Sequence, residues 1–214
     1  ATIVGCEENA STQISQIENF ITSGCDLIMV HPHDADAVEE SCKQALDAGI
    51  KVMCWDNEME NTTANWVLDN TELGKEIGKT AANFINEHYT ADNKAEVCVI
   101  GKPDTQVKVW VGVGAGAMIG SNTALLAEYG GAGNIPEDVG VITTDVTSEQ
   151  LDALQAGDEA VRAIVGFEGS NTDTAQACFE MFERILNGEF DDVSGDEKNV
   201  YRPTMEMNSD NIEE

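Results

Sequence analysis

Alternation of amphipathic helices with short apolar runs over residues 11–70 predicts an α/β protein with parallel sheets. Three observations carry that prediction. Ile14, Ile17, Phe20 and Ile21 share one helical face between a possible cap at Ser11 and a closing glycine at Gly24. Leu27–Val30 is a continuous apolar run that stops at His31-Pro32-His33-Asp34, and Val52–Trp55 is another that stops at Asp56-Asn57. Between them, a helix from about Asp34 to Ala48 ends at Gly49. Continuous apolar strands joined by helices are buried on both faces, the signature of a parallel sheet. Ligands of such sheets bind beyond the carboxyl ends of the strands, where the two polar clusters fall.

The remaining elements follow in order. Asn65–Leu68 reads as a short strand, and Thr71 to about His88 as a helix with Leu73, Ile77, Ala81, Phe84 and Ile85 along one line. Glu96–Ile100 and Val107–Val113 read as strands, Gly116–Tyr129 as a helix and Gly140–Thr144 as a strand. Ser148–Ala156 is a short helix, Val161–Gly166 a strand, and Asn171–Asn187 a helix ended by Gly188. An acidic loop, Phe190–Asn199, leads to a closing strand at Tyr201–Met207 and an acidic tail.

Composition narrows the function. Of 214 residues, 40 are acidic and 11 basic, a formal net charge of -29. Phosphate neutralisation needs clustered Lys and Arg, so nucleic acid is excluded as a partner, as is attraction to anionic lipid. An anionic small molecule is disfavoured, and a neutral ligand such as a sugar fits best. The acidic surface itself reads as a solubilising one, which a salt-adapted source would share. The six cysteines, Cys6, Cys25, Cys42, Cys54, Cys98 and Cys178, form no C-x-x-C pair, and zinc needs closely spaced ligands. They read as buried free thiols behaving as small hydrophobes. No signal peptide, lipid-attachment motif or membrane-spanning run is present in this sequence.

Several motifs in fixed order carry a resemblance. The pattern Q-I-x-x-F-I-x-x-G-x-D, x-P-x-D-x-x-A-V, A-G-I and V-x-x-W-D-N, followed by Leu68-Asp69-Asn70 and Leu73–Gly78, is similar to the type I periplasmic binding proteins. The similarity is to their sugar-binding branch, the ribose- and galactose-type receptors of ABC transporters. It resumes at Val107 and runs through VGVITTDVTSEQLDAL and the GFEGSNTDTAQACFEMFERILNGE helix. The resemblance implies two Rossmann-like lobes with parallel sheets, residues 1–68 plus 167–190 and residues 69–166 plus 191–214. It implies an extracytoplasmic protein, in some relatives lipid-anchored, that closes its lobes on a neutral monosaccharide and presents it to a permease. It implies no cofactor.

Two departures stand out. Ala1–Val4 aligns with the second strand of the family, so the first strand and helix have no counterpart in this chain. Between Glu96–Ile100 and Val107–Val113 the family has a helix, a strand and another helix where only Gly101–Gln106 stand. Parallel neighbours are joined by about a dozen residues or more. These two strands therefore either pair antiparallel or flank a gap left by truncation. An incomplete receptor leads to two expectations: a homodimer that fills the gaps, or a sheet rearranged around them, with weak or absent sugar binding. The alternative function is a truncated or engineered scaffold that keeps the fold without the site.

The resemblance also assigns residues. Asp56 matches the carboxylate that accepts hydrogen bonds from sugar hydroxyls, and Asn57 the polar neighbour that reaches the same ligand. Asp145, after Gly140–Thr144, matches the acid of the second lobe, and the two acids are expected to face one cleft. Glu168 and Asn171 are the polar candidates of the late contact, and His31 stands at the lip. Gly114-Ala115-Gly116 stands where relatives often carry an Asn and an acid, so that contact is either lost or replaced by backbone. His31 and His33 lack a third ligand in register, so no metal site is expected. Trp55 and Trp110 read as core, with sugar stacking open to Trp55 alone. No nucleophile elbow, P-loop or dinucleotide fingerprint occurs, so the chain reads as a binding protein and not an enzyme. Because the cysteines lie in separate core elements, thiol titration of the denatured chain should count six free groups; four or fewer would show pairing.

Overall fold

Asn9 opens the first helix. Its side-chain oxygen accepts the Thr12 N–H at 2.9 Å, so α1 spans Ala10–Ser23 and starts before the expected cap at Ser11. Gly24, at φ 68°, takes the left-handed turn that closes it. The computed structural model describes residues 1–99 and 108–212. Residues 1–4 form no strand, contrary to expectation; Ile3 is 95% exposed. An extended segment becomes a strand only by pairing, and the neighbouring sheet ends at β1 (Leu27–Val30).

The first sheet grows by parallel addition. β1 pairs with β2 (Lys51–Trp55), β2 with β3 (Ala64–Val67), and β3 with β8 (Asn199–Tyr201). Helix α2 (Ala35–Asp47), capped by the Asp34 carboxylate on Ala37 N–H, lies between β1 and β2 in the chain. Val38, Cys42 and Ala45 repeat at helical spacing and are wholly buried against Ile28, Val52 and Cys54. The other face of the sheet is covered by α6 (Asn171–Leu186), whose Met181 and Ile185 pack on Met53, Ala64 and Trp66. Burial pushes the Cys42 and Cys54 thiols up to about 12.

The step from β2 to β3 is shorter than a helical crossover. Residues 56–63 return the chain to the amino end of the sheet, where Thr63 N–H meets Val52 O at 2.7 Å. So short a return leaves no room for a helix, and its backbone groups find partners elsewhere. Glu39 on α2 accepts from Glu60 N–H and from both the backbone and side chain of Asn61. Buried Asn65 donates to Met59 O and Asn199 Oδ1 and accepts from the Thr62 hydroxyl. Lys198 donates to Glu60 O.

The second sheet has the order β4-β5-β6-β7-β9. α3 (Asn70–His88) leads into β4 (Val97–Val99), β5 (Val109–Gly112), α4 (Ala115–Tyr129), β6 (Gly140–Thr144), α5 (Ser148–Ala156) and β7 (Val161–Phe167). β4 through β7 are parallel and β9 (Thr204–Asn208) is antiparallel to β7. Val97 opposite Val109 in a parallel pair removes the antiparallel alternative for these two strands. The Gly101–Gln106 connection lies outside the described residues. Trp110, Met118, Val141, Leu154 and Ile164 fill the core under α4 and α5.

The expected closing strand is two strands. β8 joins the first sheet and β9 the second, and Arg202-Pro203 separates them. Proline has no N–H to give to a ladder, which favours the change of sheet at this point. The chain accordingly falls into two units, Ala1–Asp69 with Gly169–Arg202 (unit 1) and Asn70–Glu168 with Pro203–Glu214 (unit 2). Residues 191–202 group with unit 1, not with the second lobe as the sequence suggests, because β8 is hydrogen-bonded to β3.

Asn65→Ala would take the donor from Asn199 Oδ1 and leave the Thr62 hydroxyl and the Met59 carbonyl with only their 3.1 Å bond to each other. It should cost about 1–3 kcal/mol, read as a lowered midpoint in urea unfolding with an unchanged slope.

Candidate functional site

The polar residues flagged by the sequence collect at the carboxyl ends of parallel strands, within each unit separately. In unit 1, β1 ends at His31 and β2 at Asp56-Asn57, and all three are exposed. In unit 2, β6 ends at Asp145 and β7 runs into Glu168, both exposed. Asn171 is the first residue of α6 and belongs to unit 1, so Glu168 and Asn171 fall on opposite sides of a crossing between units.

Asp56 and Asp145 share a backbone signature. Asp56 has φ 69° and Asp145 φ 61°, left-handed values that non-glycine residues rarely adopt and that concentrate at functional positions. Each is held there by its surroundings. Asp56 N–H donates to Trp66 O at 2.9 Å. After Asp145, Thr147 and Gln150 form a capping box at the start of α5. The wholly buried Gln150 also donates from Nε2 to Thr144 O at 3.1 Å. In unit 1, Gln13 of α1 does comparable work: it donates to His31 O at 2.8 Å and accepts from His33 N–H at 3.0 Å.

The surroundings of Asp145 are made by small residues. Gly114, at φ 94°, precedes α4 without a side-chain cap, and its N–H donates to Thr144 Oγ1 at 2.8 Å. A Cβ on Gly114 would stand 3.7 Å from Asp145 Oδ2. Gly166 of β7 leaves the space that the Val146 side chain fills; a Cβ there would stand 2.1 Å from a Val146 methyl.

Asp56 has a partner that sequence reasoning missed. Arg202, one of three arginines in the chain, donates from Nη2 to Asp56 Oδ1 at 2.8 Å. The Arg202 side chain is 6% exposed and that of Asp56 is 41% exposed. The guanidinium carbon lies 4.7 Å from the Trp55 ring centre and 5.5 Å from that of Trp66. The two indoles meet edge to face at 4.8 Å. Trp55, read from sequence as core or stacking surface, is half-buried and stacks on this cation. Burial lowers the guanidinium pKa, opposed by the charge of Asp56 and its hydrogen bond. The only sequence signal for Arg202 was a cation beside a proline in a chain nearly without cations.

Other features lie elsewhere. A hollow of about 280 Å³ at the amino ends of β2 and β3 is lined by Lys51, Thr63, Asp191 and Lys198, with Lys51 paired to Asp191. It is on the side of the sheet away from Asp56. Among the described residues, no group of three or more His, Cys, Asp or Glu assembles to hold a metal, and no helix is long and apolar enough to cross a membrane.

Two units of predominantly parallel sheet, joined by three crossings of the chain, define a type I periplasmic binding protein fold. The comparisons agree. Residues 3–108 match the family model described as a periplasmic binding protein domain. A D-xylose-binding periplasmic protein of Escherichia coli K12 is 29% identical over 79 residues, 36% of this chain and 24% of that protein. A D-ribose/D-allose-binding protein of Pseudomonas aeruginosa is 41% identical over 54 residues, 25% of this chain and 17% of that protein. These matches thus span about a quarter or less of the curated relatives' length. The structure of a galactofuranose binding protein superposes with a TM-score of 0.72 at 16% identity, over 99% of this chain and 85% of that one. A periplasmic ribose ABC transporter structure from Conexibacter woesei gives 0.74 at 17%, over 99% and 82%. The fold is that of the type I periplasmic binding proteins, and residues 3–108 match their domain.

Replacing Asp56 by Asn removes the charge that compensates a buried cation. The loss should approach, without reaching, the roughly 3–5 kcal/mol of a fully buried pair, because Asp56 is 41% exposed. Adding Arg202→Met should recover most of it; a double-mutant cycle by thermal unfolding checks this.

Proposed function

We propose that this protein binds a neutral monosaccharide outside the cytoplasmic membrane and delivers it to the permease of an ABC transporter. The observation that carries the reading is the pair of left-handed aspartates, Asp56 after β2 and Asp145 after β6, each at the carboxyl end of an interior parallel strand. A carboxylate accepts from hydroxyl groups strongly and in more than one direction, which suits a polyol. Asn57 and His31 extend the unit 1 edge with groups that donate as well as accept. Glu168 and Asn171 are further candidate contacts, one in each unit.

Charge supports a neutral ligand. With a net charge of -29, an anionic sugar acid would approach against the field of the whole protein. The relatives named for xylose and for ribose or allose favour a pentose or hexose. The relatives are named as sugar-binding proteins, which gives catalysis no support.

Calorimetric titration with D-xylose, D-ribose and D-galactose tests the proposal. Binding of at least one sugar supports the reading, and binding at micromolar strength, about -8 kcal/mol, would overturn the expectation that it is weak. Asp145→Asn should weaken it by about 1.5–3 kcal/mol, the range for a hydrogen bond to a charged group, with thermal stability nearly unchanged. No binding of any sugar by folded protein would favour the scaffold reading instead.

A further inference from the structure

Arg202 has a second relation to the site besides neutralising a charge. Its side chain is almost wholly enclosed, with the guanidinium over Trp55 and beside Trp66. Its backbone is fixed as well, since Arg202 N–H donates to Val67 O at 3.0 Å. The group that meets Asp56 is therefore immobile on both sides of its Cα. Asp56 is the reverse, with a half-exposed carboxylate on a turn that ends a strand. An exposed aspartate with no partner samples several staggered rotamers. Held through Oδ1 at 2.8 Å, this one is confined to a single orientation.

We propose that Arg202 is the positioning residue of the ligand site, holding the Asp56 carboxylate in a fixed orientation for ligand hydroxyls. This inference rests on the neutral-sugar reading given above. Arg202 engages one carboxylate oxygen, and a carboxylate has about four acceptor positions in all, so capacity remains for hydroxyl donors. The ion pair also offsets the charge of Asp56, which favours an uncharged polyol over a cation at this carboxylate. Lysine cannot substitute, because only a planar guanidinium can lie against the indole faces while directing an N–H at Asp56. Organising the acceptor before the ligand arrives removes the cost of ordering it on binding.

The experiment uses wild-type protein, Arg202→Met and Arg202→Lys, with calorimetry against D-xylose, D-ribose and D-galactose. Three-bond carbon and nitrogen couplings at Asp56 report its χ1 distribution without ligand, and thermal unfolding identifies variants that remain folded. In the wild type the couplings should show one rotamer. In either folded variant they should average, and sugar affinity should fall by roughly ten-fold or more, the scale of a lost charge-assisted hydrogen bond. A purely structural Arg202 would shift the unfolding temperature and leave both the couplings and the affinity of folded protein unchanged, and that result overturns the proposal. If the wild type binds none of the sugars, the neutral-sugar reading fails. The couplings then decide the role of Arg202 by themselves, averaging in the variants supporting it and an unchanged single rotamer overturning it.

Discussion

A parallel strand ends at the opposite edge of the sheet from where its neighbour must begin, so every connection has to carry the chain back across a face. In unit 1 the return after β2 takes only residues 56–63, too few for a helix, and its polar backbone needs partners from outside. Glu39, Asn65 and Lys198 supply them from three different elements. That constraint fixes where the chain leaves β2 and pins the far end of the turn that starts at Asp56. The left-handed φ of Asp56 persists because the structure on either side leaves it no other choice.

Much of the fold was legible in the sequence because the helices and strands obey local rules. The Val38, Cys42 and Ala45 spacing, the glycine after Ser23 and the apolar runs at β2, β6 and β7 all specify their elements without long-range information. The misreadings come from pairing, which no local pattern encodes. Ala1–Val4 has strand composition and no strand to lie against. Tyr201–Met207 reads as one strand, and only the positions of β3 and β7 reveal that it serves two sheets.

The candidate site was legible for a related reason. Acids directly after apolar runs in a parallel sheet must lie at the carboxyl edge, so Asp56 and Asp145 could be placed by counting residues. Arg202 could not. It lies 146 positions from Asp56 in sequence, and nothing near it hints at an aromatic cradle built by Trp55 and Trp66. Gln13 and Gln150 were also missed; one amide fixes the loop at His31 and the other the turn at Asp145, and both look like ordinary helix residues when read in line.

The division of the final strands between two sheets has a bearing on how the chain acquires its structure. Unit 1 is interrupted: Asn65 must find Asn199 across a separation of 134 positions, with most of unit 2 lying between them in the chain. Contacts of such range are slow to form, because a long loop has to close before they give anything back. Residues 70–168 are continuous and contain four of the five strands of their sheet, so they hold most of what that sheet needs before β8 is available. During that interval β3 presents an unpaired edge, and its Asn65 waits for the partner that completes the buried polar network. Synthesis from the amino end therefore yields unit 2 nearly whole while unit 1 is still open, and residues 199–208 complete both sheets in one short stretch.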